Sequence, residues 1–391
     1  MKKKVKRRDF LTRAGTVSLG LTFLPNLKKE NISSSYNLKS GSDPWLEINL
    51  NNIAWNLSQI KKKVNNRPVM GVIKANAYGH GLVHVARFLE KQNIRFLAVG
   101  KLHEALELRE SNIKTPILNF GPLIPEEADK IVAQKISQSV YTNDIVALAK
   151  AAKKQKKQSR VYIKVDTGLG RVGIPYYRAL TFIQKVSSMP EIIMEGVFTT
   201  FTEDKEFDEI QLQRFLSLCL SAEEKGINLG FRHAASSAAI LSFHQAQLDM
   251  VRPGITLYGH YPSTEEYKKQ QIKLKPSMAL KTKVIYVKKL RPGDSVSYHR
   301  KFTAKKEILV ATLPIGYSDG YSPLLVEKGE AIIKGHRWPL IAAITANHTT
   351  LNITGSEGIK IGDEVVLIGQ QGSSEITAEE VAQWANTSVY K

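Results

Sequence analysis

The sequence predicts an α/β fold, a (β/α)8 TIM-type barrel followed by a mostly antiparallel β domain. Two patterns carry that expectation. Between residues 68 and 258, short β-rich runs alternate with amphipathic helical signatures, and the runs number eight. Strand–helix repetition builds a parallel sheet with helical crossovers, and eight such units close it into a barrel. After about Lys275 the helical signatures thin out, while β-rich runs continue between Gly, Pro and Asn turns, as in an antiparallel domain. The composition agrees. A chain of 391 residues, 42% hydrophobic and 24% charged, has room for more than one domain and is neither disordered nor fibrous in character.

In chain order, residues 1–29 come first, with nine Lys and Arg side chains against Asp9. Arg7-Arg8-Asp9-Phe10-Leu11 followed by the apolar stretch Ala14–Leu24 reads as a twin-arginine-like export signal. The expected location is therefore exported and periplasmic. The competing readings are an uncleaved membrane tether and a basic tail on a cytoplasmic protein. The stretch is too short to span a bilayer, so no stable membrane insertion of the mature chain is expected. Residues 30–44, rich in Ser and Asn, read as a linker.

The barrel is expected over 45–275. Its eight runs are Pro68–Ala75, Phe96–Leu102, Pro116–Gly121, Ser137–Tyr141, Arg160–Asp166, Met194–Phe201, Phe231–Ala235 and Met250–Tyr258. Leu82, Val85, Phe88 and Leu89 mark one intervening helix, and Leu212, Phe215, Leu216 and Cys219 another, each with a period near 3.6. The β domain is expected over 276–391. Its runs are Ala279–Val287, Glu307–Leu313, Glu330–Ile333, Leu340–Thr345, Thr350–Ile353 and Glu364–Ile368, with a late helix at Ala378–Ala385.

The net charge of +20 invites a nucleic-acid reading. However, +8 of it sits in residues 1–29, and the later basic clusters lack the interleaved aromatic side chains of a single-strand groove. No nucleic-acid partner is expected. The lone Cys219 excludes an intramolecular disulfide and a cysteine-built zinc site, and no metal is expected.

In such a barrel, chemistry collects where strands run into their following loops. The first run ends in Lys74-Ala75-Asn76-Ala77-Tyr78-Gly79-His80-Gly81. A lysine there is either a buried ion-pair partner or an amine that desolvation prepares for a Schiff base. The fifth run brings Lys164, Asp166 and, past Thr167-Gly168-Leu169-Gly170, Arg171. The seventh brings His233, Ser236 and Ser237, and the eighth Arg252-Pro253-Gly254-Ile255, whose amides beside Ser237 suit a phosphate.

Those segments, with Val296-Ser297-Tyr298 and Pro314-Ile315-Gly316-Tyr317-Ser318-Asp319-Gly320, resemble the ordered motifs of alanine racemases. The resemblance implies pyridoxal 5'-phosphate as cofactor and interconversion of L- and D-alanine by two bases. These are Lys74, which also carries the cofactor, and Tyr298 of the partner subunit in a homodimer with shared active sites. It further implies Arg252 facing the pyridine nitrogen with His233 behind it, and Arg171 at the phenolic oxygen and the substrate. Tyr78, Ser237, Gly254, Ile255 and Tyr390 would hold the phosphate, and Tyr317 and Ala346 would border the substrate. Lys164 matches a lysine that is often carbamylated.

The chain departs from the family pattern where Thr200 replaces a ring-stacking histidine and where Ser236 replaces an asparagine. It also departs at Ala343-Ile344-Thr345-Ala346-Asn347, in place of Arg-Val-Cys-Met-Asp, and where Pro323 stands near a lost arginine. These changes neutralise or enlarge the substrate entrance and suggest, as an alternative, a broad-specificity periplasmic racemase making non-alanine D-amino acids. A non-catalytic pyridoxal-phosphate carrier would lack the β domain. A decarboxylase of related fold would carry an acid where Arg252 stands.

Overall fold

The computed structural model describes residues 43–390, so the export-signal expectation and nearly all of the linker lie outside the described residues. Seven strands pair in parallel in sequence order. They are Met70–Val72, Phe96–Val99, Ile117–Asn119, Ser137–Val140, Ser159–Asp166, Ile192–Phe198 and Phe231–His233. Extended residues 249–253 close the ring. On one side Met70 N–H donates to the Val251 carbonyl (2.9 Å) and Val72 N–H to that of Pro253 (3.0 Å). On the other, Asp249 N–H donates to Arg232 (3.1 Å) and Arg252 N–H to Ala235 (3.0 Å).

The eighth run was expected to reach Tyr258, but Ile255–Tyr258 is a 3-10 turn. The cause is local. Pro253 has no N–H to offer a ladder, and Gly254 takes ψ −95°, which turns the chain out of the sheet.

Side chains alternate across these strands with period two. Met70, Val72, Phe96, Ala98, Leu118, Tyr162, Phe198 and Met250 fill the barrel interior. Val69, Ile73, Leu97, Val99, Ile163 and Val197 face outward onto the helical layer. That layer includes Leu82–Lys91, burying Leu82, Val85, Ala86 and Leu89. It also includes Lys205–Glu223, which buries Leu212, Phe215 and Cys219 and is capped by Asp204 accepting from Phe207 N–H at 3.0 Å.

The second domain is an antiparallel sheet in the order Trp45–Ile48, Met278–Lys283, Glu364–Gln371, Glu330–Ile333, His336–Ile341, Thr349–Asn352, Ile308–Leu313, Tyr286–Leu290. Three differences from expectation stand out. Trp45–Ile48, grouped by sequence with the barrel, pairs with Met278–Lys283. The run Ala279–Val287 is two strands, because the chain changes partners at Val284, where Val284 N–H bonds Asp363 and Ile285 N–H bonds Thr312. The run Leu340–Thr345 ends as a strand at Ile341, since Ala342 takes φ +62°. A two-stranded ribbon, Ser295–Val296 with Phe302–Thr303, carries Tyr298 at its tip.

The late helix, Ala378–Trp384, starts in a capping box. Thr377 Oγ1 accepts from Glu380 N–H (3.1 Å), and Glu380 accepts from Thr377 N–H (2.9 Å). Glu379 beside it meets His260 Nδ1 of the barrel at 3.0 Å, tying the helix down just before the chain reaches Tyr390.

Candidate active site

The C-terminal ends of the barrel strands surround a cavity of about 540 Å³, lined among others by Lys74, Tyr78, Lys164, Arg171, Phe198, Thr200, Ser237, Arg252, Gly254, Ile255 and Tyr390. Nine of the candidate site residues singled out by sequence meet here, and His233 stands directly behind Arg252.

Lys74 follows the strand Met70–Val72 by one residue and opens an unusual turn. Ala75, Asn76, Ala77 and Tyr78 all take positive φ, 53–55°, and form one left-handed helical turn that ends on Gly79. Such backbone costs on the order of 1–2 kcal/mol per non-glycine residue. The turn points Lys74 and Tyr78 into the same cavity. The Lys74 amine is held below its ordinary range, first by partial desolvation and then by Arg171, with Glu104 acting in the opposite sense.

Arg252 is buried and makes three hydrogen bonds. Nη1 donates to His233 Nδ1 (2.7 Å), and Nη2 donates to the carbonyls of Thr199 (2.7 Å) and Ala234 (3.1 Å). Burial pushes the guanidinium down to about 9, so it remains a cation and a donor at neutral pH. His233 is held neutral by burial and by the neighbouring Arg252, leaving Nδ1 free to accept. Phe198 stacks on the His233 ring (5.1 Å, 7°) and lies under both cations, 5.3 Å from Arg252 and 4.7 Å from Lys164. Lys164 donates to Thr200 Oγ1 at 2.7 Å, and burial, followed by Arg252 and Arg171, pushes its amine down to about 7.

Arg171 rides on a loop shaped by Asp166, whose Oδ1 accepts from Gly168 N–H (3.0 Å) and Gly170 N–H (3.1 Å). At the other end of the cavity Ser237 Oγ accepts from Gly254 N–H (2.9 Å) and shares a hydrogen bond with Thr256 (3.0 Å). Gly254 has no alternative in this packing. A Cβ there would lie 2.5 Å from the Tyr78 hydroxyl oxygen. Burial pushes the Tyr78 phenol up to about 12, so it stands as a neutral donor. The result is a cradle of hydroxyls and backbone amides at one end and four cations around the rest, an arrangement suited to a ligand with several negative charges.

Three expected site residues are absent from this cavity. Tyr298 is 76% exposed on its ribbon, and Tyr317 is 56% exposed. Tyr317 N–H donates to Thr345 (3.0 Å), Ser318 N–H to Ala346 (3.0 Å) and Asn347 to Ser318 Oγ (2.9 Å), so Tyr317 and Ala346 stand together on the β domain.

Sequence reading missed two contributors. Glu104 is buried and hydrogen-bonds the lysine turn. A Gln211–Thr167–Thr199 chain (3.1 and 2.7 Å) braces the Thr200 segment, with Gln211 also bonding the Thr200 carbonyl at 3.2 Å. Both acceptor and amide sit on helix positions that face the core, and a polar residue at an otherwise apolar helix position was the available signal.

Residues 48–262 match the family described as alanine racemase, N-terminal domain, and residues 277–391 its C-terminal domain. The chain is 38% identical over 353 residues to alanine racemase 1 of Clostridium acetobutylicum, which covers 89% of this chain and 91% of that protein. It is likewise 38% identical over 354 residues to alanine racemase of Clostridium tetani, with 89% and 91% covered. Among solved structures, alanine racemase of Clostridium difficile 630 superposes with a TM-score of 0.85 at 35% identity, covering 89% of this chain and 91% of that one. Alanine racemase from Bacillus anthracis with bound L-Ala-P gives 0.80 at 31% identity over the same shares.

Proposed function

The chain belongs to the alanine racemase family, and on that premise we propose that it interconverts L- and D-alanine with pyridoxal phosphate, using Lys74 and Tyr298 of the partner subunit as its two bases. One observation carries the reading. An accessible lysine amine, a Ser237–Gly254 cradle that a Cβ would fill and a buried arginine held by histidine converge on a single cavity. The donor set fits the cofactor. Ser237, Tyr78, Tyr390 and the amides of Gly254 and Ile255 would hold its phosphate, Arg252 would face its ring nitrogen, and Arg171 its phenolic oxygen. When bound, the cofactor supplies the electron sink that a carbanion at Cα requires.

The chain's own residues do the rest. Burial and Arg171 lower the proton affinity of the Lys74 amine, the direction a group that takes a proton from one face of Cα requires. Arg252 holds its own proton and so would not protonate a ring nitrogen facing it, which limits charge delocalisation and the side reactions that follow from it. Racemisation needs a second base on the opposite face, and Tyr298 of the partner subunit is the residue proposed for it. The exposure of Tyr298 on the β domain supports its delivery to a neighbouring chain's site, in a two-fold dimer with shared active sites.

We propose two further readings, the first on the same premise. Lys164, with its amine near 7, has the free-base fraction that adds to carbon dioxide, forming an N–C bond with release of a proton. The resulting carbamate would set an anion beside Arg171. Intact mass spectrometry in bicarbonate buffer should show the added mass, and a high-resolution map with bare Lys164 and no anion beside it would remove the idea. Export rests on residues 1–29 alone. Fractionation of cells, with Arg7 and Arg8 changed to lysine as control, tests it.

The test of the main reading is direct. The protein incubated with L-alanine and pyridoxal phosphate should produce D-alanine. Lys74→Ala should lose both the absorbance of lysine-bound cofactor and turnover. Tyr298→Phe should keep the absorbance and lose about 10²- to 10⁴-fold in rate. Cofactor binding without racemisation of any amino acid would leave a carrier and overturn the proposal.

A further inference from the structure

The left-handed turn that follows Lys74 is costly; Ala77 N–H and Gly79 N–H bond back to Ile73 and Ala75 within it, while Asn76 N–H goes to another element. One side chain from another element compensates. Glu104, in the first turn of the helix Leu102–Glu110, is 6% exposed. Its Oε1 accepts from Asn76 N–H inside the turn at 3.1 Å. Its Oε2 accepts from Gly100 N–H (2.9 Å) and Lys101 N–H (3.2 Å) at the end of the next barrel strand. Asn76 in turn accepts from Leu82 N–H at 2.8 Å, fixing the far end of the turn to the helix Leu82–Lys91. The fit around Lys74 is close, since a Cβ on Gly100 would lie 3.3 Å from Lys74 Cβ and 3.6 Å from Glu104 Oε2.

A carboxylate reaching only Gly100 and Lys101 would be an ordinary helix-start contact. The bond to Asn76 is different, because it joins two neighbouring barrel strands through the residues that set Lys74. We propose that Glu104 is a positioning residue for Lys74: its carboxylate pins the left-handed turn to the adjoining strand end and so fixes where the amine stands and which charge it faces. This rests on the reading of Lys74 as the cofactor lysine.

Glutamate is the side chain the geometry requires. Glutamine could accept on one oxygen only and would set an NH₂ against a backbone N–H. Aspartate is one methylene too short to reach both segments. The charge acts as well. Among the groups around the amine, Arg171 lowers its proton affinity and Glu104 raises it, with Lys164 and the Tyr78 ring also close by. Lys101, His103 and Glu107 face Glu104 from the groove behind the turn.

The test uses the full chain with pyridoxal phosphate. The cofactor is titrated, the Lys74 adduct is trapped with borohydride and quantified by mass spectrometry, and the measurement is repeated from acid to alkaline pH. In Glu104→Gln the affinity should fall by about tenfold or more, because a charged acceptor of backbone N–H groups is lost. The pH at half-maximal adduct should also move down, because the amine loses an anion that favours its protonated form. Wild-type affinity overturns the proposal. So does weaker binding at an unmoved pH midpoint, which is the result of loosened packing alone. If circular dichroism shows Glu104→Gln unfolded, Glu104→Asp decides. With charge kept and reach lost, it should bind more weakly at the wild-type midpoint, and wild-type affinity there overturns the role. A wild-type protein that forms no Lys74 adduct would remove the functional reading itself, and this role with it.

Discussion

At Gly254 a methyl group would stand 2.5 Å from the Tyr78 hydroxyl oxygen and 3.2 Å from its ring carbon, so Gly254→Ala forces Tyr78 or the strand end to move. Overpacking of this kind costs about 1–3 kcal/mol. Thermal melts should show that loss, and titration should show pyridoxal phosphate bound more weakly because the cradle has shifted. His233 offers a second test at this scale. It is the only side chain that accepts a hydrogen bond from Arg252 among the described residues, the other acceptors being backbone carbonyls. In His233→Leu the buried guanidinium keeps its charge and loses a partner, which costs about 1–3 kcal/mol. Arg252 should then hold its orientation less well, seen as a lower kcat with the bound-cofactor spectrum altered. An unchanged spectrum and rate would mean that the two carbonyls suffice.

The helix Ala378–Trp384 is held by Arg337 on Glu380, by packing of Val381 and Trp384, and by Glu379 on the buried His260 of the barrel, eleven residues before Tyr390 at the cavity. Glu379→Gln should cost about 1–2 kcal/mol and raise hydrogen exchange over residues 378–390, with exchange in the barrel strands unchanged. Elements of this kind were partly legible in advance. Seven barrel strands lie within or beside their expected runs, because alternating or continuous apolar residues bounded by turns fix strands by burial alone. The eighth was overextended. Its apolar residues Ile255, Leu257 and Tyr258 are buried, but in a 3-10 turn, and burial by itself does not distinguish the two. The lysine, arginine and serine of the site could be named because each sits at a strand end. Glu104 was signalled only by being polar on a core-facing helix position, because its bond to Asn76 N–H depends on a left-handed turn that no propensity favours. The split at Val284 was hidden for a similar reason: a strand that changes partners keeps the same residue pattern throughout.

At the scale of the molecule, +8 of the +20 charge sits in residues 1–29, and the buried titratable groups of the barrel have consequences for stability. Burial pushes His80 down to about 4 and His233 also well below its usual value. The unfolded chain then binds these protons first, between pH 6.5 and 4. The stability present above 6.5 is lost as pH falls through that window, by roughly 3 kcal/mol from His80 alone. Lys164 acts with the same sign at higher pH, between its ordinary range and about 7. Glu203 and Asp208, whose carboxyls burial raises, act in the opposite sense in acid. Denaturant melts should show a midpoint falling from pH 6.5 to 4, with a shallower slope in His80→Asn. A flat profile would contradict the buried neutral histidines.

The dimer is tested at the same scale. Lys74→Ala and Tyr298→Phe chains, each inactive alone, should on subunit exchange recover about a quarter of wild-type activity, since half the dimers are hybrids with one complete site. No recovery in proven hybrids would place both bases in one chain.

The strand Trp45–Ile48 sets a last condition on all of this. Its partner, Met278–Lys283, is made only after the whole barrel. A growing chain therefore carries its opening strand unpaired until the β domain arrives, so one of the first segments to be made is among the last to lock. Trimming the start of the chain to residue 49 would leave the barrel strands intact and expose an edge of the far sheet. The opening strand thus belongs to the β domain, the same domain whose ribbon carries Tyr298.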